Sequence, residues 1–144
     1  IKAMIDNDLE IMNYYMNRVT QETFSYFDVG SGEAGLEETE RFYHGFVLGL
    51  MAEQAENYVL KSNSESGFGR YDVMMIPKKE NLPAIIMEFK VRRAKEKDLN
   101  ETVQMALQQI EEKNYDAELL SLGIAKEKIR HYGFAFEGKN VLIG

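Results

Sequence analysis

Gly69-Arg-Tyr-Asp-Val-Met-Met-Ile-Pro77 and, a short polar segment later, Pro83-Ala-Ile-Ile-Met-Glu-Phe-Lys-Val91 are two apolar runs with charge in their interiors. Side-chain alternation in the first puts Asp72, Met74 and Ile76 on one face and Tyr71, Val73 and Met75 on the other. In the second, Ile86, Glu88 and Lys90 share a face opposite Ile85, Met87, Phe89 and Val91. Both runs are apolar on both faces, the mark of central strands covered on two sides. An isolated ion persists in such a strand only when it is paired or bound to metal. Asp72, Glu88 and Lys90 are therefore the candidate site.

Glu88 and Lys90 are two apart, so both project from one face about 7 Å apart along the strand. With Asp72 on the adjacent antiparallel strand and facing the same way, two carboxylates and an ammonium converge. Oxygen ligands of this kind suit Mg²⁺ or Mn²⁺, which keep several waters and bind phosphate oxygens directly. Such an ion activates water and stabilises charge on a phosphate, and Lys90 would orient that water or help deprotonate it. A one-residue slip in register would turn Asp72 away from Glu88.

On either side of the two strands, periodicity supplies the remaining elements. A helix is expected from Asp6 to Val19, with Asp6 or Asn7 as its N-cap. The aromatic segment Thr23–Asp28 and the linker-like Gly30-Ser-Gly-Glu-Ala-Gly35 follow, which divides the chain into a helical arm over residues 1–36 and a main domain over 37–144. A second helix is expected to start near Glu38 to Glu40 and to run to about Asn57. Its apolar stripe holds Tyr43, Phe46, Val47, Leu50 and Met51, and Glu40 extends that stripe. Gly45 and Gly49 on this helix suggest close packing against a sheet.

Tyr58–Ser62 reads as a first strand and Ser64–Gly69 as its turn. After the central pair and the basic cluster Arg92-Arg-Ala-Lys-Glu-Lys97, a long helix is expected from Asp98 to Asn114, with Leu99, Val103, Ala106, Leu107 and Ile110 facing inward and Gln109 at the margin. Asp116 is expected to cap a short helix ended by Gly123. A strand over Ile129–Phe136, a turn over Glu137–Asn140 and a strand over Val141–Ile143 close the chain. His44 and His131 have no metal-ligand spacing to each other and read as ordinary structural or surface histidines.

Composition limits the function. The 144 residues suit one domain with its own core. Cysteine is absent, which excludes disulfides, zinc-thiolate sites and cysteine nucleophiles. The longest apolar run, Phe42–Ala52, is too short and too interrupted to span a bilayer, so no membrane role is expected and a cytoplasmic setting is. The net charge of −7 is the wrong sign for bulk attraction to nucleic acid, which leaves local basic patches and metal ions to do that work. The chain opens on Ile1 and reads as a piece of something longer.

Asp72 followed by Glu88-Phe89-Lys90 on the next strand resembles the PD-(D/E)xK nuclease superfamily, and the element order from Glu38 onward is similar to that of its core. The wording Phe42-Tyr-His-Gly-Phe46, Ser66-Gly-Phe-Gly-Arg-Tyr-Asp72 and Gln109-Ile followed by Tyr115 looks like the subgroup found C-terminal to predicted AAA-ATPase-like domains of bacterial proteins. The resemblance implies an α/β fold with a restriction-endonuclease-like core, a central mixed sheet of four to five strands flanked by helices. It implies a Mg²⁺- or Mn²⁺-dependent nuclease acting on DNA, with Asp72 and Glu88 as metal ligands, Glu40 as a further acidic ligand from the helix, and Lys90 as the catalytic lysine. Gln109 and Tyr115 match the glutamine-to-tyrosine element of RecB-like nucleases, and an ATPase-like domain of the parent protein becomes an expected partner. One departure is that Tyr71, not Pro, precedes Asp72. Homo-oligomerisation stays open, and the competing reading is a catalytically inactive nuclease-like interaction or regulatory domain.

Overall fold

A computed structural model of the chain describes residues 1–23 and 33–144. The elements in chain order are α1 (Lys2–Ile5), α2 (Leu9–Thr23), α3 (Glu33–Met51), β1 (Tyr58–Ser62), β2 (Glu65–Ser66), β3 (Gly69–Arg70), β4 (Val73–Pro77), β5 (Ala84–Val91), α4 (Leu99–Glu112), α5 (Ala117–Ser121), β6 (Ile129–Glu137) and β7 (Asn140–Ile143). Five strands form one sheet in the order β1-β4-β5-β6-β7. The β5–β6 pair is parallel and the other three pairs are antiparallel, so the sheet is mixed. The parallel pair needs a crossover, and α4 with α5 supplies it.

Both faces of the central strands are buried, as their continuous apolar sequence requires. Val73, Met75, Ile85, Met87, Phe89 and Val91 point to one side, where Tyr43, Val47 and Met51 of α3 meet them. Met74, Ala84 and Ile86 point to the other, against Ile110, Tyr115 and Leu119. Helix α4 lies close on β6 at Gly133, where an added Cβ would come within 2.8 Å of the Val103 carbonyl oxygen. A side chain at 133 would push the helix off the sheet.

Helix α2 covers the sheet edge by imitating a strand. Asn13 gives its side-chain amide to the Ile143 carbonyl at 2.9 Å and accepts from the Ile143 N–H at 2.8 Å. Asn17, one turn on, does the same for Val141 at 2.6 and 2.9 Å. The i, i+4 spacing on the helix thus matches the i, i+2 spacing of outward-facing backbone groups on β7, and an edge open to further pairing is closed.

Several local expectations are corrected. The first helix is two: α1 ends before Asn7, which takes a left-handed φ of 58°, and Asp8 rather than Asp6 or Asn7 accepts the Ile11 N–H that starts α2. The aromatic segment expected at residues 23–28 lies outside the described residues apart from its first residue, as does the first half of the linker expected at 30–35, while Glu33 to Gly35 belong to α3, which begins earlier than expected and ends at Met51. Beyond Met51 the chain makes only a short 3₁₀ turn, Ala52–Gln54. Gly45 and Gly49 do not meet the sheet, since nothing lies within 4 Å of a Cβ added at either. The turn expected at residues 64–69 contains the small β2–β3 hairpin. Tyr71 packs with Met74, against the alternation, because β4 begins only at Val73 and the chain bends before it. Asp116 makes no cap; its carboxylate binds His131 at 2.6 Å. Asp98 does cap α4, accepting the Glu101 N–H at 2.9 Å.

Two substitutions on helices check this description. Gly45→Ala and Gly49→Ala each raise stability by about 0.5–1 kcal/mol in denaturant titrations, because the added methyl meets open space while the helix loses a flexible residue. Asn17→Ala lowers it by about 1–3 kcal/mol, because two backbone groups of β7 lose their partners.

Candidate active site

The register of β4 on β5 pairs Val73 with Met87 and so carries Asp72 to the flank of Glu88. Asp72 is fixed there by its own carboxylate, whose Oδ2 accepts the Phe89 N–H at 2.8 Å. Glu88 is 4% exposed. Its Oε1 accepts from Gln109 Nε2 at 2.6 Å, while Oε2 has no hydrogen-bond partner. Lys90, two residues along the same face, donates from Nζ to Gln109 Oε1 at 2.7 Å. One side-chain amide on α4 therefore grips both members of the Glu-x-Lys pair by its opposite ends.

Gln109 is itself held. Its Nε2 also approaches the Tyr115 hydroxyl at 3.1 Å, and that hydroxyl donates to the Arg70 carbonyl at 2.7 Å. Tyr115 reaches this position because Asn114 adopts a left-handed φ of 50° and turns the chain back under α4. Helix α3 contributes Glu40, which is near enough to feel both Asp72 and Lys90. It also contributes His44, whose Nε2 is 2.7 Å from Ser62 Oγ and whose Nδ1 is 3.9 Å from Asp72 Oδ1. Glu40, Asp72, Glu88, Lys90, Gln109 and Tyr115 thus form one connected neighbourhood.

The electrostatics of this neighbourhood are unbalanced. Burial, then the charge of Asp72, pushes the Glu88 carboxyl up to about 9 from an ordinary 4.5. Burial raises Asp72 as well, against the lowering effects of the Phe89 N–H and Lys90. Glu40 is raised by burial and then by Asp72. Three carboxyls gather around the Lys90 ammonium, with Arg93 acting on Glu40, and the residual need is for positive charge.

That need tests whether a divalent ion suits the site. Asp72 and Glu88 present hard oxygen donors, and the buried Glu88 Oε2 lacks any other partner. Among the described residues no group of three His, Asp or Glu side chains is disposed to hold an ion. What remains is a pair of carboxylates, a hard-oxygen donor set of the kind divalent ions take.

His44 is the residue the sequence reading passed over. It lies four residues after Glu40 on α3, so the two share a helix face, and that spacing was the available signal. The basic cluster separates on inspection: Arg92 is committed to Glu137 and to the Glu96 carbonyl, where it pins the loop after β5, while Lys95 and Lys97 are exposed. His131 lies between Asp116 and Glu111, at 2.6 and 3.2 Å, in a separate cluster.

A mixed five-stranded sheet flanked by helices, with an acidic pair and a lysine on adjacent central strands, defines a restriction-endonuclease-like α/β protein. The profile of the PD-(D/E)XK nuclease superfamily matches residues 38–144, most of the chain, and the chain belongs to that superfamily. Nucleases of the superfamily generally use divalent metals. No match to the chain was found among curated proteins. Among the described residues no helix is long and apolar enough to cross a membrane.

The pH dependence of the metal-free protein reports on Glu88. Its folded-state value lies above its unfolded one, so between about 5 and 9 the unfolded chain has released a proton that the folded chain keeps. Stability therefore falls as pH rises through that window. Thermal melts in chelator across this range are expected to show the decline in the wild type and a flatter profile, with higher melting temperature at pH 8, in Glu88→Gln.

Proposed function

We propose that the chain is a divalent-metal-dependent nuclease domain that hydrolyses phosphodiester bonds of nucleic acid, DNA in the first instance. The observation that carries this reading is the buried Glu88 Oε2, which has no partner and lies beside Asp72 and Lys90 in an otherwise apolar strand. Asp72 and Glu88 would hold Mg²⁺ or Mn²⁺, with Glu40 close behind them. When bound, such an ion supplies Lewis acidity that neutralises phosphate charge and makes water easier to deprotonate. Lys90, its Nζ tethered to Gln109, presents positive charge to the scissile phosphate. Gln109 fixes the spacing of Glu88 and Lys90, and Tyr115 props Gln109 from below; both act as positioning residues. His44 packs edge-on against Phe89, with its Nδ1 3.9 Å from Asp72 Oδ1.

By resemblance, the domain works beside an ATPase-like domain of a longer cytoplasmic protein. A second reading, a nuclease-like regulatory module without catalysis, is favoured by the −7 net charge and by the lack of a three-ligand cluster among the described residues. Calorimetric titration with Mn²⁺ separates the two readings, because only the first expects saturable binding that disappears in Glu88→Gln.

Asp72→Ala and Lys90→Ala are each expected to lower divalent-dependent cleavage of plasmid or oligonucleotide DNA roughly a hundredfold or more while circular dichroism melts remain cooperative. Cleavage at wild-type rates in both variants would sink the nuclease reading.

A further inference from the structure

Phe68 is the most exposed large apolar side chain among the described residues, at 78%. It sits at the tip of the β2–β3 hairpin, between Gly67 and Gly69. An exposed aromatic ring in a soft loop would carry no argument, but this hairpin is anchored at every step. The Phe68 N–H donates to the Lys113 carbonyl at 2.8 Å. Ser66 Oγ donates to the Tyr115 carbonyl at 2.7 Å and accepts the Glu118 N–H at 3.0 Å. Gly67, with φ of +60°, lies so close to the end of α4 that an added Cβ would fall 2.2 Å from both the Lys113 and the Asn114 carbonyl oxygens. The backbone is held from beneath while the ring is left in water.

The same hairpin is wired to the candidate active site. Arg70, at its far end, gives its carbonyl to the Tyr115 hydroxyl, which contacts Gln109, which in turn holds Glu88 and Lys90. The side chains of Arg70 and Lys113 are free of carboxylate partners among the described residues, and the Lys113 stem lies 3.4 Å from the Cβ position of Gly69. In a chain of net charge −7, an exposed aromatic ring on an anchored backbone, two residues before Arg70 and bonded through its N–H to Lys113, is a surface with features complementary to an aromatic anion, even with Glu65 across the hairpin from Arg70. A nucleic-acid strand has that chemistry: the base offers a π-face and the phosphates meet the cations.

We infer that Phe68 is a stacking platform for an unpaired base near the scissile phosphate, with Arg70 and Lys113 holding the adjoining backbone, so that the preferred substrate is single-stranded or locally unpaired nucleic acid. This rests on the nuclease reading above and deepens it by naming the substrate form. A base inside a duplex has both faces covered by its neighbours, so the ring gains a stacking partner only where the strand is open.

The test uses a fluorescein-labelled single-stranded oligonucleotide and a blunt duplex of the same sequence, with binding measured by anisotropy in Ca²⁺ and cleavage in Mg²⁺. Phe68→Ala is expected to weaken single-strand binding roughly tenfold and to lower kcat/KM for that strand by a similar factor. Binding to the blunt duplex and the melting temperature are expected to stay unchanged, and Phe68→Trp is expected to restore single-strand binding. Moving an abasic residue along the strand is expected to find one position where the wild type loses the same factor and Phe68→Ala loses nothing more. Arg70→Ala and Lys113→Ala are each expected to reduce the salt dependence of binding by about one counterion. Equal single-strand binding by wild type and Phe68→Ala, or an equal loss on duplex, would overturn the platform while divalent-dependent cleavage left the nuclease reading standing. A wild-type protein that neither binds nor cleaves either probe would overturn both.

Discussion

The buried carboxylate of Glu88 is the constraint around which the chain is built. A glutamate at the centre of a strand covered on both faces is unfavourable by several kcal/mol unless something compensates its charge. Gln109 satisfies one oxygen and nothing satisfies the other. Lys90 lies on the same strand face but its ammonium is directed to the Gln109 oxygen. The site is therefore held short of neutrality by its own architecture, and a proton or a cation has to make up the difference.

That imbalance explains why so much structure converges on one amide. Gln109 has a donor and an acceptor, and it uses the donor on Glu88 and the acceptor on Lys90. Neither Asn, one methylene shorter, nor Glu, which lacks a donor when ionised, reproduces both bonds. Its orientation is imposed by Tyr115, whose hydroxyl is in turn fixed by the Arg70 carbonyl. The left-handed Asn114 that ends α4 and the glycine-flanked hairpin that meets it are thus part of the support of the acidic pair. Loop geometry that looks incidental in isolation sets the position of groups on the central strand.

The strands and the acidic pair were readable from sequence because two-sided burial leaves a strong trace: long apolar runs in which any charge is conspicuous. Glu88 and Lys90 fell on the expected face for that reason. Asp72 was harder, since it sits one residue before β4, where alternation no longer applies; Tyr71 accordingly went to the wrong side. What the sequence could not show were contacts made by polar atoms with no periodicity of their own. Asn13 and Asn17 carry no signal in the apolar periodicity of α2, yet they close the sheet edge. Gly45 and Gly49 looked like a packing seam, whereas the close approach is at Gly133, a single glycine inside an apolar strand. His44 has no spacing signal toward His131, and its place by the acidic group shows only against Glu40, four residues earlier on the same helix face.

Charge also orders the molecule at longer range. An acidic chain repels a polyanion but draws divalent cations, so under the proposed nuclease function metal and nucleic acid would face opposite fields on approach. The two requirements would be met in different places. The carboxyls are gathered inside, where burial raises Glu40, Asp72 and Glu88, the charge of Asp72 raises the other two further, and the demand for positive charge sharpens. The cations stand outside, Arg70 on the hairpin and Lys113 at the end of α4 beneath it, and the hairpin is joined to those carboxyls through Tyr115 and Gln109. If Glu88 holds the proposed ion, proton and metal would compete for its oxygens, so occupancy would strengthen as pH rises while the metal-free fold weakens. A bound cation would then return stability given up by burying the pair without a counter-charge.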